Sequence, residues 1–86
     1  MSGLIEAFVL VSVKEDASSP DLDFMNNVKK EIVKLKGVKE VNGVFGLYDF
    51  VVRVETETPE EMGILVTQTM RIIKGVTKTE TMIIGF

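Results

Sequence analysis

The chain has 86 residues, of which 45% are hydrophobic, and it contains no cysteine, histidine or tryptophan. This length suits one domain, and a domain so small buries only about 60% of its unfolded surface. The missing cysteine and histidine exclude disulfides, thiolate zinc sites and the commonest general base. We therefore predict no catalytic residues, no metal site and no cofactor. The net charge of −3 and the pI of about 4.9 argue against a direct nucleic-acid partner, which normally needs a basic surface.

No targeting or membrane-spanning segment is predicted. The start of the chain, Met1–Glu6, has no basic region. The longest strictly apolar run, Ala7–Val11, is far shorter than the ~20 residues that a membrane-spanning helix needs. We expect a cytoplasmic protein without a membrane partner.

The first part of the chain predicts a strand and a helix. Leu4–Val13 is rich in β-branched and aromatic residues, which are typical of strands. Ser19–Asp21 predicts a helix start, with Ser19 as the cap and Pro20 in the first turn. Gly37 is expected to end this helix. The apolar residues of the helix recur at helical spacing and form one stripe, Leu22, Met25, Val28, Ile32 and Leu35.

The middle of the chain predicts two strands and a second helix. Val38–Phe45 and Phe50–Thr56 are the strands, and the glycine-led segment Gly46–Asp49 between them suits a hairpin. Thr58–Glu61 is a capping box with proline at the first helical position, and it opens a helix that ends before Gly75. The helix carries a second apolar stripe, Met62, Leu65, Val66, Met70 and Ile73.

The chain also repeats itself weakly. Leu35–Lys39 follows the first helix and Ile73–Thr77 follows the second, with a glycine and a valine at matching positions. Val76–Ile84 then forms the last strand. Two strand–helix–strand halves joined by a hairpin predict an α+β, ferredoxin-like βαββαβ fold over a single domain, residues 1–86. Both helices would cover one face of a four-stranded antiparallel sheet.

The strands are more apolar than a sheet covered on one face requires. Ala7, Val9 and Val11 point to one face of the first strand, whereas Phe8 and Leu10 point to the other. The helices reach one face only, and an exposed apolar sheet carries a large free-energy penalty. We therefore predict a homodimer in which the second face meets another subunit.

The hairpin holds the most informative polar residues. Asp49 and Tyr48 lie beside Gly46. Exposed backbone N–H groups at the glycine could bind a carboxylate while Asp49 binds an ammonium group, which together would hold a small zwitterion. Thr79 and Thr81 share one face of the last strand and offer hydroxyls. Simpler explanations stay open, because aspartate caps turns and threonine favours strands.

Four segments resemble the ligand-sensing (RAM) domain of the Lrp/AsnC family, the leucine-responsive and asparagine-operon regulators. Gly46–Phe50 is similar to the family's Gly-x-Tyr/Phe-Asp segment, and Gly75–Thr81 is similar to its Gly-Val-x-x-Thr-x-Thr ending. Ala7–Val11 and Gly37–Val41 agree as well. The resemblance covers essentially the whole chain and has its four segments in the family's order.

The resemblance implies a dimeric α/β sandwich with the sheets packed face to face, and rings of such dimers, often octamers. It also implies a small effector, usually an amino acid, bound between dimers. The residues carried over to that effector site are Gly46, Tyr48, Asp49, Thr79 and Thr81. Phe45 departs from the family, where threonine or serine often precedes the glycine, and this bears on the polarity of the pocket and on the identity of the ligand.

Full-length members carry an N-terminal helix-turn-helix domain, so this chain looks like a stand-alone form that could assemble with full-length Lrp/AsnC regulators. The leading hypothesis is a non-enzymatic, oligomeric sensor of amino acids or related metabolites in transcriptional regulation. One alternative is a small dimeric α+β barrel enzyme, such as a monooxygenase or isomerase, with Asp49 and Tyr48 as acid/base groups. Another is a purely structural oligomer cap for a larger regulator.

Overall fold

The computed structural model describes residues 3–14 and 21–85. The elements follow the predicted order: β1 (Ile5–Val13), α1 (Leu22–Val33), β2 (Val38–Gly43), β3 (Phe50–Thr56), α2 (Pro59–Ile64) and β4 (Val76–Ile83). A π-helical segment, Leu65–Thr69, continues directly from α2. No helix within the described ranges has the length and apolar character needed to cross a membrane.

The strands form one antiparallel sheet in the order β2-β3-β1-β4. Both helices pack on the same face of this sheet, which confirms the predicted ferredoxin-like fold. The alternation of β1 explains why, since Ala7, Val9 and Val11 are completely buried beneath the helices. The buried core consists of Ala7, Val9, Val11, Val13, Val28, Ile32, Val41, Phe50, Val52, Val54, Met62, Leu65, Val66 and Met70.

The face of the sheet turned away from the helices, here called the open face, is part apolar and part charged. Its residues follow from the strand register and are Phe8, Leu10, Val51, Arg53, Lys78, Glu80 and Met82. Arg53 forms ion pairs with Glu55 at 2.9 Å, Glu6 at 3.7 Å and Glu40 at 3.8 Å. The predicted apolar residues are therefore present on this face, but the charged cluster beside them was not predicted.

The start of α1 differs from the prediction. Asp21, not Ser19, is the N-cap, and its Oδ1 accepts a hydrogen bond from Phe24 N at 2.8 Å. Serine and aspartate cap helices about equally well, so the sequence alone did not decide between them. Leu22 is consequently the first helical residue and is 75% exposed, so it does not belong to the buried stripe. Ser19 and Pro20 lie outside the described residues.

The predicted start of α2 is confirmed. The Thr58 hydroxyl accepts a hydrogen bond from Glu61 N at 3.1 Å, and the Glu61 carboxylate accepts one from Thr58 N at 3.2 Å. The helix then widens into the π-helical segment, where Met70 N donates to Leu65 O at 2.8 Å. This widening was not predicted, because over a single turn the spacing of apolar residues is nearly the same in both kinds of helix.

Three strand ends also differ from the predicted bounds. β2 ends at Gly43, so Phe45 lies in the connection to β3 and is fully exposed. The chain leaves the sheet there because Val44 N donates to Asp49 O at 2.9 Å and closes the loop. β1 begins one residue later than predicted, and β4 ends one residue earlier, at Ile83.

The internal repeat is structural. Gly37 and Gly75 follow the two helical segments with φ angles of 97° and 102°, values that favour glycine. The carbonyl oxygen of Gly37 accepts a hydrogen bond from Glu55 N, and that of Gly75 accepts one from Lys14 N, both at 2.8 Å. Each glycine therefore ties the end of its helical segment to a central strand.

These contacts predict opposite effects for the same substitution at two glycines. Gly75→Ala should lower the free energy of unfolding by roughly 1–3 kcal/mol, because the residue has a positive φ. Its Cβ would also lie 2.5 Å from Phe24 Cζ, so the ring must move. Gly63→Ala, inside α2 where an added Cβ meets open space, should raise that free energy by about 0.5–1 kcal/mol. Chemical denaturation at one protein concentration measures both, and equal effects would contradict the assignment.

Candidate functional site

Asp49 joins the hairpin to the central strand. Its backbone N donates to Val11 O at 2.9 Å, and its Oδ2 accepts a hydrogen bond from Val13 N at 2.9 Å. The carboxylate thereby occupies the place that a backbone carbonyl would take if the ladder continued. The structural explanation for Asp49 is thus supported, although it caps a distant strand and not its own turn. Among the described residues, the second carboxylate oxygen, Oδ1, accepts no hydrogen bond.

Tyr48 connects the hairpin to β4. Its hydroxyl donates a hydrogen bond to the Glu80 carboxylate, and Lys78 Nζ lies 5.6 Å from the centre of its ring. This hydrogen bond raises the pKa of the Tyr48 phenol above its usual value, because ionisation would remove the donor and place a second negative charge beside Glu80. Lys78 acts in the opposite direction and lowers that pKa. Near neutral pH the phenol is therefore a hydrogen-bond donor, not a base.

Gly46 forms the tip of the connection. Its φ of 138° favours glycine, while an added Cβ would meet no atom within 4 Å. The requirement for glycine is therefore conformational. The neighbouring side chains, Phe45 and Leu47, are almost fully exposed. The tip thus presents two apolar side chains on either side of an open backbone.

Thr79 and Thr81 do not lie beside Tyr48. They pair with Val11 and Val9 of β1, so their side chains lie on the helix-covered face of the sheet. The residues that Tyr48 contacts, Lys78 and Glu80, alternate with them on the open face. The structure therefore groups Gly46, Tyr48 and Asp49 on the hairpin and separates the two threonines from the Tyr48 side chain.

Sequence reasoning missed Lys78 and Glu80, which carry the charge of the site. The signal that could have found them is the alternation of β4, since every second residue faces the same way. Lys78 and Glu80 place an ammonium group and a carboxylate on one face, beside the Tyr48 hydroxyl. This arrangement suits a ligand that carries both charges.

The hairpin region is an open surface. The two larger hollows of the described structure, of about 450 and 660 Å³, lie elsewhere and are lined by neither Tyr48 nor Asp49. Within residues 3–14 and 21–85 there is also no group of three or more acidic residues arranged to hold a metal ion. A ligand at the hairpin would therefore rest on charged and hydrogen-bonding groups and would stay exposed to solvent on this single chain.

The Tyr48–Glu80 contact makes a spectroscopic prediction. Tyr48 is the only tyrosine of a chain that lacks tryptophan, so its phenolate absorbance is unobscured. We expect its titration midpoint above the usual value of about 10. Glu80→Gln should lower that midpoint, Lys78→Gln should raise it further, and Glu31→Gln on α1 is the matched control. An ordinary midpoint that is unchanged by Glu80→Gln would contradict the contact.

The same contact gives a sign for stability against pH. Because the pKa is raised in the folded state, the contact stabilises the fold below the unfolded pKa. This contribution is lost as the pH rises through the folded pKa. Unfolding curves of wild type and Glu80→Gln should therefore converge at high pH.

Comparisons with known proteins agree with this geometry. The Lrp/AsnC ligand binding domain family matches residues 6–84. An uncharacterised HTH-type transcriptional regulator of Pyrococcus furiosus is 36% identical over 77 residues, which cover 90% of this chain and 49% of the regulator. The chain thus spans about half the length of that relative. A homocitrate synthase of Sulfolobus acidocaldarius is 35% identical over 75 residues, which cover 87% of this chain but 15% of the enzyme.

Solved structures share the fold. A protein of Thermus thermophilus is 33% identical and superimposes with a TM-score of 0.78, covering 95% of this chain and 94% of that one. A transcriptional regulator of Neisseria meningitidis, solved in complex with L-Met, superimposes with a TM-score of 0.79 at 17% identity, over 95% of this chain and 50% of the regulator. The family match covers nearly every residue of the sheet and helices described above, so this chain belongs to the Lrp/AsnC ligand-binding-domain family.

Proposed function

We propose that the chain is a regulatory sensing module that binds an amino acid or a related small zwitterion at the hairpin. The carrying observation is the grouping of Tyr48, Lys78 and Glu80 beside the hairpin that holds Gly46 and Asp49. The ammonium group of the effector would pair with the Glu80 carboxylate and the unpaired oxygen of Asp49. The effector's carboxylate would pair with Lys78 and with backbone N–H groups near Gly46.

The matched family supports binding over catalysis. Its description is a ligand binding domain, and a Neisseria meningitidis regulator of the same fold has been solved with L-Met. The enzyme alternative gains no support at the hairpin, because Asp49 is already bonded to Val13 N and the raised pKa keeps Tyr48 protonated. The homocitrate synthase match covers only 15% of that enzyme, which supports a module joined to a larger protein and not its catalytic part.

The proposal includes self-assembly through the open face. Phe8, Leu10, Val51 and Met82 form an apolar area there, and packing two such faces together would remove it from water. Residues 1–86 would then act as one effector-binding and oligomerisation domain, with dimers joining into rings such as octamers. Full-length Lrp/AsnC regulators are the proposed hetero-partners.

Sensing would work through linkage between binding and assembly. The hairpin site is open on a single chain, so a neighbouring subunit is needed to enclose an effector. An effector that contacts two subunits binds one assembly more tightly than another and shifts the population toward it. The fold of each chain need not change for this to occur.

Effector binding is tested by calorimetry with each of the twenty amino acids, alongside sizing of the protein with and without them. We expect at least one to bind and to change the assembly. Glu80→Gln should weaken that binding by about tenfold, equivalent to about 1.4 kcal/mol, because one charge-assisted contact is lost. Glu31→Gln on α1 is the matched control. The sensing proposal fails if no amino acid binds and the assembly never changes.

Assembly is tested by placing a charge on the open face. Leu10 lies opposite Glu80, so Leu10→Lys is tolerated on a single chain but would bury a charge between two sheets. We expect this variant to sediment as a monomer with an unchanged circular dichroism spectrum. Leu22→Lys, on the exposed start of α1, should retain the assembly of the wild type. Dimerisation through another surface is indicated if both variants behave alike.

A further inference from the structure

A hollow lies at the end of the sheet opposite to the hairpin. It has a volume of about 450 Å³, which falls in the range of roughly 300–1,000 Å³ typical of small-molecule sites. Its walls come from the loop after α1, the end of β3 and the segment formed by α2 and the π-helix. We propose that it is a second ligand site, distinct from the hairpin, and that it takes a small aliphatic carboxylate.

The walls of this hollow are fixed by packing. Gly37 has a φ of 97°, and its carbonyl oxygen accepts a hydrogen bond from Glu55 N at 2.8 Å. A Cβ on Gly37 would lie 3.4 Å from Leu65 Cδ2, so the loop rests directly on the π-helix. A site whose walls already touch needs little ordering when a ligand binds.

One side of the hollow is apolar. Leu65 is buried at its base, whereas Ile64 and Leu4 beside it are each 51% exposed. These two exposed side chains would gain cover from the aliphatic body of a ligand. Leu65 and Thr69 are also the first and last residues of the π-helical segment, a kind of helix found frequently at functional sites.

The charges left over in the hollow favour an anion. Two of its three acids are already engaged, since Glu55 pairs with Arg53 at 2.9 Å and Glu61 accepts hydrogen bonds from two backbone N–H groups. Glu57 is the third. By contrast, Lys36 and Lys39 form no ion pair within the part of the chain that the structure describes. Two lysines against one glutamate leave a positive excess that suits a carboxylate.

The test uses three probes of equal length and different charge: hexanoate, hexanamide and hexylamine. Amide chemical shifts of the wild-type protein are followed by NMR during titration. We expect hexanoate to shift Gly37, Glu57 and Thr69, while hexanamide and hexylamine bind at least about tenfold more weakly. Equal or tighter binding of hexylamine would overturn the charge assignment. Shifts centred on Gly46 and Tyr48 would overturn the location.

Matched variants locate the contacts. Lys36→Gln with Lys39→Gln should weaken hexanoate binding by about tenfold, whereas Lys29→Gln with Lys30→Gln, the same charge change on α1 outside the hollow, should not. Ile64→Ala should weaken it too, through loss of apolar cover. Equal effects of the two lysine pairs would overturn the proposal. Because the probe lacks an amino group and the hollow lies far from the hairpin, its binding is separable from any amino-acid effect.

Discussion

The hydrogen bond from Val13 N to the Asp49 carboxylate is the constraint on which the candidate site depends. Val13 belongs to the central strand β1, whereas Asp49 ends a connection whose tip is almost fully exposed. Without this contact the ladder between β1 and β3 would stop at Val11. With it, Tyr48 is held within reach of Glu80, so one buried-edge contact sets the geometry of an exposed cluster.

Much of the fold could be predicted because its signals are local. The capping box at Thr58 and the glycines Gly37 and Gly75 each act within a few residues of their own positions, and each has its predicted role. The start of α1 was wrong because serine and aspartate compete for the same cap. Local signals therefore determine which elements form, but they leave their ends uncertain by a few residues.

The site was harder to predict because its partners are distant in sequence. The Gly46–Asp49 connection was identified, but the groups that Tyr48 contacts lie about thirty residues away, on a strand whose register decides which side chains face it. Thr79 and Thr81 were chosen in place of Lys78 and Glu80, and a shift of one position separates the two sets. The Arg53 cluster was missed for the same reason, since Glu6, Glu40 and Glu55 come from three strands.

The sheet also limits how a bound ligand can act. β3 runs from the hairpin, beside Asp49, to the hollow beside Glu57, and its buried residues Val52 and Val54 fix its register. A slip of one residue would turn those side chains out of the core, so β3 cannot transmit a signal by sliding. A ligand at either end can therefore change little inside one chain. Its effect must be exerted where chains meet, which makes assembly the property through which such a domain can report binding.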